Sequence, residues 1–266
     1  MKLTKSLFLA GYTTLATLGM SQMALAEGLL SPDRLSVGME ISYPPFESYK
    51  DGKIVGFDPE ISALLAAKLG AEAHFNDTKF TSLILGLGAN KFDAVISGMY
   101  IIPERLKKAE AIPYAKTGAS IMVLKDAEAQ PKTEQDLCGL KVGLQQGTTW
   151  VKALNELSAS YCITNGQEAI TVQEFPSAPE VSQALLSRNV QAQLEIAGAA
   201  KMFAERTKGR IAISSPDLVY PQTMGMYVKK DNLALKASLE TALAAIKADG
   251  SYMALIEKYE LTPVND

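Results

Sequence analysis

The chain has 266 residues, 47% of them hydrophobic and 21% charged, which is enough to bury one large core or two modest ones. The formal net charge is −3 and no cluster of lysine and arginine occurs, which argues against nucleic acid or another polyanion as a partner. The single histidine, His74, and the lack of a Cys-x-x-Cys pair argue against a metal site and weaken any hydrolase mechanism. We place His74 on the surface of a strand.

Residues 1–26 have the features of a secretory signal peptide. Two lysines precede an apolar run, and a small-x-small motif ends at Ala26, after which we expect cleavage. The run is too short and too interrupted to span a bilayer, which argues against a membrane anchor. The first cysteine is Cys138, so none is available for lipid attachment after cleavage. We therefore expect an exported, unanchored protein in the periplasm of a Gram-negative bacterium.

Cys138 and Cys162 are the only cysteines of the sequence. Two cysteines in an exported protein most often form one disulfide, and we prefer this to the alternative of two free buried thiols. Their separation of 24 residues gives roughly 3 kcal/mol of stabilisation by the chain-entropy relation.

The first half of the chain alternates strands and helices. We predict strands at 34–40, 71–77 and 93–98, and helices at 58–69 and 80–90. Asp58 is the expected N-cap of the first helix, with Pro59 at its first position, and Gly70 ends it. This β-α-β-α-β order predicts a parallel sheet covered by helices.

A second set of alternating elements begins near residue 140, after a strand at 118–125. We predict strands at 141–147, 169–175, 191–196 and 224–230. Helices are expected at 149–158, 178–189, after residue 196 through Glu205, at 233–250 and at 252–259. About eleven strands and eight helices would strain a single core, so the sequence predicts two α/β lobes.

Five segments, in order and spread over the chain after the signal peptide, resemble the periplasmic amino-acid-binding proteins of ABC importers (solute-binding family 3). They are "VGMEISYPPFESYKDGKIVGFDPEISALLAAKLG", "KFDAVISGMYIIPERLKKAEAIPY", "LKVGLQQGTTW", "GMYVKKDN" and "ADGSYMALIEKY". The resemblance implies two α/β lobes joined by two hinge strands, with a ligand cleft between them. Lobe 1 would comprise residues 27–116 and 224–266, and lobe 2 residues 117–223. The Cys138–Cys162 pair also resembles a disulfide-bearing subset of this family.

The resemblance implies a solute-binding component that captures a polar amino acid, or an amino-acid derivative, through its carboxylate. The lobes would close on the ligand as a hinge, and the closed form would deliver it to a permease in the inner membrane. No cofactor and no catalysis are implied, and we expect a monomer. Two alternatives stay open. One is a cyclohexadienyl-dehydratase-like enzyme, with Glu195 or Glu40 as its general acid. The other is a ligand-sensing module for a separate receptor.

Arg105 is the central residue of the predicted site. A strand that ends at Ser97-Gly98 exposes backbone N–H groups where open α/β sheets bind ligands, and the glycine lets a ligand approach the main chain. Arg105 offers a planar, two-pronged donor for a carboxylate, and the resemblance implies that it holds the ligand's α-carboxylate. The alternative is a surface arginine at a helix end, paired with Glu104 or Glu110.

Other site residues of the first lobe also follow from the resemblance. Tyr43 and Phe80 match positions where the family presents aromatic walls, although both could be ordinary core residues. Glu40 matches a position that contacts the distal group of a ligand; the alternative is a solvated loop acid. Tyr100 stands where the family usually has serine or threonine, so it would contribute its backbone N–H.

In the second lobe, Gly147-Thr148-Thr149 precedes a predicted helix. Hydroxyls and free N–H groups at a helix N-terminus suit a carboxylate, while Thr148 or Thr149 could also simply cap the helix. Gln145 could face the side chain of the ligand. Trp150, the only tryptophan, is either a wall of the cleft or part of the helix packing.

One departure from the family bears on the ligand's nitrogen. The family usually has an acid that holds the α-ammonium where this chain has Ile196, and Glu195 lies one residue earlier. Neighbouring strand residues point to opposite faces, so Glu195 substitutes only after a local shift or if the strand has already ended. Otherwise the ligand lacks an ordinary α-ammonium. A quaternary or acylated nitrogen, an opine-like derivative or a plain carboxylate would then fit.

Overall fold

The computed structural model describes residues 27–264. The predicted signal peptide, residues 1–26, therefore lies outside the described residues. Within the described part of the chain, no helix has the length and apolar character needed to cross a membrane.

The first half of the described chain contains one more small sheet than we predicted. Its strands are β1 (Arg34–Met39), β2 (Ser42–Tyr43), β3 (Glu47–Lys50), β4 (Lys53–Val55), β5 (Glu72–Asp77) and β6 (Ala94–Val95). Its helices are α1 (Phe57–Lys68), α2 (Leu83–Gly88), which follows a 3₁₀ turn at Phe80–Ser82, and α3 (Pro103–Leu106). The antiparallel strands β2, β3 and β4 form the small sheet, which lies between β1 and α1 in the chain.

The second half follows the predicted alternation closely. Its strands are β7 (Ala109–Leu124), β8 (Lys141–Gln145), β9 (Thr171–Phe175), β10 (Ala192–Ile196), β11 (Ile211–Ile213) and β12 (Val219–Lys229). Its helices are α4 (Thr149–Leu157), continued by a π turn at Ser158–Cys162, then α5 (Ala178–Leu186), α6 (Ala197–Arg206), α7 (Leu233–Ala248) and α8 (Ser251–Lys258).

Nine of the described strands form one continuous sheet in the order β5-β1-β6-β12-β7-β10-β8-β9, with β11 beside β7. The outer strands pair in parallel, as the β-α-β units predict, whereas β12 and β7 run antiparallel at the centre. The α/β class is confirmed. The predicted lobe boundaries, after residues 116 and 223, fall inside β7 and β12, so both strands are shared by the two halves. The division into lobes stays a prediction.

Most of the buried apolar side chains form one cluster that extends from β1 and α1 across β7 to β8 and β10. A smaller cluster around Phe92 and Leu83 packs beneath α2. His74 is exposed on β5, as predicted. The disulfide between Cys138 and Cys162 is confirmed, with Cα atoms 5.5 Å apart. It joins the segment before β8 to the turn after α4.

The prediction that Asp58 caps α1 is wrong. The helix begins at Phe57 with Gly56 as its N-cap, and Asp58 is fully buried within the first turn. Its carboxylate accepts hydrogen bonds from the Gly98 N–H and the Tyr114 hydroxyl instead of from the helix. A tertiary contact has therefore replaced the local cap that the Asp-Pro pattern favoured.

Candidate functional site

One cleft brings together ten of the eleven predicted ligand residues. It is narrow: only about 20 Å³ of its interior can hold the centre of a water molecule. The predicted residues that line it are Glu40, Tyr43, Phe80, Ser97, Gly98, Tyr100, Arg105, Gln145, Thr148 and Thr149. Glu47, Trp150 and Ile196 line it as well, whereas the predicted Glu195 does not.

The cleft lies where the carboxyl ends of two parallel pairs of strands, β1 with β6 and β8 with β10, face each other. The two pairs run in opposite directions, because every pairing from β6 through β12 and β7 to β10 is antiparallel. Glu40 follows β1, Ser97 follows β6, Gln145 ends β8 and Ile196 ends β10. Open α/β sheets bind ligands outside the carboxyl ends of their strands, where the loops that leave the strands converge. The strand order places β1 and β6 on one side of the central pair and β8 and β10 on the other, so the walls come from both halves of the sheet.

Arg105 lies between these two walls. Its Nη1 donates to the Tyr100 carbonyl at 2.7 Å and its Nη2 to the Gly147 carbonyl at 3.0 Å. The guanidinium carbon lies 5.4 Å from the centre of the Phe80 ring, within the range of a cation–π contact. The side chain is buried, and Glu104 pairs with Lys152 at 3.2 Å. Arg105 is therefore not the surface arginine of the alternative interpretation.

No carboxylate lies within ion-pair distance of Arg105 in the described part of the chain. Burial lowers the pKa of the guanidinium, but arginine remains protonated in proteins. Its two hydrogen-bonded carbonyls are neutral, so the positive charge is not balanced by a protein anion. Such a site can accept an anionic group, and the planar guanidinium has the geometry to bind a carboxylate.

Two buried acids, Glu47 and Asp58, lie beneath the Ser97-Gly98 corner. The Ser97 hydroxyl donates to Glu47 Oε1 at 2.6 Å, and the Gly98 N–H donates to Asp58 Oδ2 at 2.6 Å. Glu47 Oε2 has no hydrogen-bond partner among the described residues. Burial, with the neighbouring Asp58 carboxyl group, raises the pKa of Glu47 well above its usual range, and burial raises the pKa of Asp58 to about 6. The Gly98 N–H is thus directed to Asp58 and not into the cleft, and the ligand-binding role of Gly98 stays a prediction.

Gly98 nevertheless has a steric reason to be glycine. Its φ of 52° lies in the left-handed region. A Cβ built there would lie 3.4 Å from the Tyr43 ring and 3.6 Å from Ile196 Cδ1. Gly98, Tyr43 and Ile196 thus form an apolar corner of the cleft.

Glu40 is buried and not a solvated loop acid. The Phe80 N–H donates to its Oε1 at 3.3 Å, and Gln145 Nε2 donates to its Oε2 at 2.5 Å. Desolvation raises its pKa above the ordinary value. Because Glu40 and Gln145 come from opposite walls, their hydrogen bond joins the two sides of the cleft.

Glu195 is held behind the wall of the cleft. The Tyr43 hydroxyl donates to its Oε2 at 2.7 Å, and Gln193 Nε2 donates to its Oε1 at 2.9 Å. The side chain is fully buried, and burial raises its pKa to about 7. The adjacent Ile196 faces the cleft, as the alternation along a strand requires. The local shift that would bring Glu195 into the cleft does not occur.

The start of α4 differs from the predicted cap. The Thr148 hydroxyl donates to the Gln145 carbonyl at 2.8 Å and makes no bond to the helix N–H groups. The Thr149 hydroxyl accepts from Gln222 Nε2 at 3.3 Å. Both threonines line the cleft without capping the helix through their side chains.

Trp150 and Tyr100 meet edge to face, with ring centres 6.0 Å apart. Both are buried and line the cleft, so Trp150 is a wall. Among residues 27–264, neither the Tyr100 hydroxyl nor Trp150 Nε1 finds a hydrogen-bond partner. Unpaired buried donors are uncommon and costly.

Sequence reasoning missed Glu47 as a lining residue. A glutamate in "PPFES" carries no local signal of burial, because its position depends on how the β2–β4 sheet folds over α1. Within the described residues, no group of three or more histidine, cysteine, aspartate or glutamate side chains is arranged to hold a metal ion.

Comparison with known proteins places the chain in a family. Residues 35–262 match the bacterial extracellular solute-binding proteins, family 3. The ABC transporter arginine-binding protein 1 of Escherichia coli K12 is 32% identical over 87% of this chain and 93% of its own length. The L-cystine-binding protein TcyJ of the same strain is 32% identical, over 91% and 90%.

The fold agrees with this result. A solved structure of an ancestral arginine-binding protein bound to glutamine superposes with a TM-score of 0.77. It is 31% identical, and the match covers 85% of this chain and 97% of the other. The sequence match, the fold and the cleft agree, and the chain belongs to the bacterial extracellular solute-binding proteins, family 3.

Proposed function

We propose that this chain is the periplasmic solute-binding component of an ABC importer. It captures a polar amino acid, or an amino-acid derivative, through the ligand's carboxylate and delivers it to a permease in the inner membrane. The observation that carries the proposal is Arg105, a buried guanidinium between the two walls of the cleft with no carboxylate partner among the described residues. A ligand carboxylate would supply the balancing charge.

The names of the relatives support an amino-acid ligand. Two relatives are named for arginine and L-cystine, and the ancestral protein is bound to glutamine. All three compounds carry an α-carboxylate and a polar distal group. In this chain, Glu40 and Gln145 form a polar pair in the cleft, which suits a hydrogen-bonding distal group.

Contacts across the cleft support a hinge-closing mechanism. Arg105 bonds to the Gly147 carbonyl and Gln145 to Glu40, so each bond joins the first wall to the second. A ligand that contacts both walls stabilises this closed arrangement over any open one, and the permease can then distinguish loaded from empty protein. The lobes defined above, 27–116 with 224–266 and 117–223, are the moving bodies of this proposal.

The proposal contains no catalytic step. Glu195, a candidate general acid for a dehydratase-like enzyme, lies behind the wall, and both its oxygens accept hydrogen bonds from protein groups. Glu40 is likewise engaged by Phe80 and Gln145. The protein acts as a monomer that is exported by its N-terminal signal.

A thermal-shift screen of amino acids, betaines, opines and simple carboxylates tests the proposal. A ligand at 100 times its dissociation constant should add about 2.7 kcal/mol to the free energy of unfolding. We expect Arg105→Ala to abolish this stabilisation while the variant remains folded. Arg206→Ala, which removes an exposed arginine at the end of α6, is the matched control. An undiminished shift in Arg105→Ala would contradict the proposal.

A further inference from the structure

The surroundings of Arg105 lack a counter-charge for an ammonium group. The guanidinium is surrounded by the Tyr100 and Gly147 carbonyls, the Phe80 ring and the Tyr227 hydroxyl. A free α-amino acid held there by its carboxylate would place its ammonium within a few bond lengths of this group. A buried ammonium without an anion is strongly disfavoured.

The acids in or behind the cleft have protein partners or are disfavoured as anions. Glu40 accepts from Phe80 and Gln145, and Glu195 accepts from Tyr43 and Gln193 outside the lining. Glu47 accepts from Ser97 through Oε1, and its Oε2 has no partner among the described residues; burial next to Asp58 raises its pKa well above the usual range, which favours the neutral form. None of these acids therefore combines a negative charge with freedom from protein partners beside the carboxylate site.

The corner of the cleft formed by Gly98, Tyr43 and Ile196 is apolar. Ile196 Cδ1 and the edge of the Tyr43 ring both lie within van der Waals distance of a group placed on Gly98. The Tyr43 hydroxyl is directed away, toward Glu195. This corner suits a carbon substituent better than a charged ammonium.

Two buried donors of the same cleft require an acceptor. The Trp150 indole can only donate, and the Tyr100 hydroxyl beside it has no partner among the described residues. A free amino acid with a single carboxylate already uses it on Arg105. A ligand that satisfies these donors as well must carry a second acceptor near its first carboxylate.

We infer that the ligand is an α-amino acid whose nitrogen carries an acceptor-bearing substituent, an acyl or a carboxyalkyl group. An acylated nitrogen is uncharged, and the ammonium of an N-carboxyalkyl amino acid lies between two carboxylates of its own molecule. Either form removes the need for a protein anion. The substituent's carbonyl or carboxylate accepts from Trp150 and Tyr100. This inference rests on the proposed function and specifies the ligand class of that site.

Isothermal titration calorimetry with matched ligand sets tests the inference. Each set contains a free amino acid, its Nα-acetyl form and its N-(1-carboxyethyl) form, with arginine and glutamine as the two parents. We expect at least one substituted form to bind at least tenfold more tightly than its parent. Comparing the acetyl form with the carboxyethyl form shows whether the site prefers an uncharged nitrogen or a charged nitrogen that lies between two carboxylates of the ligand.

Three variants test whether Ile196, Trp150 and Tyr100 cause the preference for a substituted nitrogen. Ile196→Asp supplies the missing anion, and we expect it to shift the preference at least tenfold toward the free amino acid. Because a buried aspartate could prevent folding, Trp150→Phe and Tyr100→Phe provide a second test, since each removes one donor and keeps a ring. Each should weaken the substituted ligand more than its parent, while Tyr161→Phe, an exposed tyrosine, leaves the ratio unchanged.

The results distinguish a failure of the inferred ligand class from a failure of the proposed function. If free amino acids bind more tightly than both substituted forms and depend on Arg105, the inference is overturned while the proposed function stands. If no member of any set binds, the inference is overturned, and the thermal-shift screen of the wider ligand panel decides the proposed function. If the substituted forms bind more tightly but the two phenylalanine variants leave the ratio unchanged, the assignment of the second acceptor to Trp150 and Tyr100 is wrong.

Discussion

Glu195 and Ile196 are neighbours in β10, but their side chains have different surroundings. Ile196 faces the cleft, while Glu195 is buried behind it against Tyr43 and Gln193. A strand alternates its faces with every residue, so a displacement of one position moves a carboxyl group out of the site. The sequence identified this ambiguity, and the hydrogen bonds from Tyr43 and Gln193 decide it.

Glu195 should make the folded protein less stable at high pH. Burial raises its pKa to about 7, whereas an unfolded glutamate titrates near pH 4.3. The folded state therefore binds the proton more tightly, and this contribution to stability is lost as pH rises through about 7. We expect Glu195→Gln to remove about 1 to 3 kcal/mol of the fall in unfolding free energy between pH 4.5 and pH 8.

Urea unfolding at several pH values from 4.5 to 8 measures this effect. Glu174→Gln, an exposed position on β9, which β8 separates from β10, is the matched control and should keep the wild-type pH dependence. An identical pH profile for Glu195→Gln and wild type would show that the buried carboxyl group does not titrate differently from the unfolded one.

Positions that a local sequence pattern marks could be predicted. Positions whose surroundings depend on residues far away in the chain could not. The Ser97-Gly98 corner and Arg105 stood out because a strand end followed by a helix start is visible in the sequence, and the family resemblance then favoured Arg105 as a ligand residue over a surface arginine. Asp58 was misassigned, because its partners Gly98 and Tyr114 lie 40 and 56 residues away along the chain. No local pattern distinguishes a capping aspartate from one that is buried by such partners.

Among the elements, the long helices and the parallel strands were predicted well because hydrophobic periodicity is strong over their length. The short antiparallel strands β2, β3 and β4 were missed, since two to four residues carry no measurable period. Only the later part of β12 was predicted. The missed part includes Pro221 and Gln222, and a register shift against β7 interrupts the pairing there.

Removing the Cys138–Cys162 disulfide should lower stability but leave binding measurable. Neither cysteine lines the cleft, and the bond joins the segment before β8 to the end of the α4 unit. For a loop of this length, the double variant Cys138→Ser, Cys162→Ser should lose roughly 3 kcal/mol of unfolding free energy. Chemical denaturation and calorimetry with ligand measure the two quantities, and a complete loss of binding in the folded variant would contradict this expectation.

Gly56, before α1, should tolerate no side chain. Its φ is 136°, and a Cβ there would lie 2.1 Å from the Phe46 carbonyl oxygen, far inside contact distance. Gly52 also has a positive φ, of 75°, but no atom lies within 4 Å of its Cβ position. We expect Gly56→Ala to cost roughly 2 to 4 kcal/mol of unfolding free energy, and Gly52→Ala only about 1 kcal/mol.

Denaturant unfolding of both alanine variants measures the two losses of unfolding free energy. Both residues have a positive φ, so the difference between the losses reports the clash with the Phe46 carbonyl at Gly56. Equal losses for the two variants would mean that the β2–β4 sheet moves away from α1 without resistance.

At the scale of the molecule, the two walls of the cleft should move relative to each other when a ligand binds. Trp150 is the only tryptophan, and in the closed arrangement it is buried against Tyr100 from the opposite wall. We expect ligand to shift its fluorescence emission to shorter wavelengths and to reduce the radius of gyration in small-angle scattering. An unchanged spectrum and radius at saturation, established by calorimetry, would contradict hinge closure.

The sequence predicted two α/β sets, but not that their strands form one sheet. The sequence was divided into two halves because so many elements would strain a single core. That argument says nothing about hydrogen bonds between strands of different halves. The pairing of β7 with both β12 and β10 creates the continuous sheet, and it joins residues more than 70 positions apart. Such long-range pairing has no signature in a window of 20 residues.

The two central strands also affect the order of assembly. Residues 117–223 form a contiguous block that contains β8 to β11 and the disulfide, whereas β1 and β6 must await β12, α7 and α8 from the opposite end of the chain. A polypeptide that crosses a membrane from its N-terminus cannot finish the first half until its last forty residues have emerged. With the export that we propose for this chain, translocation would delay completion of the native state, and the middle block could mature first.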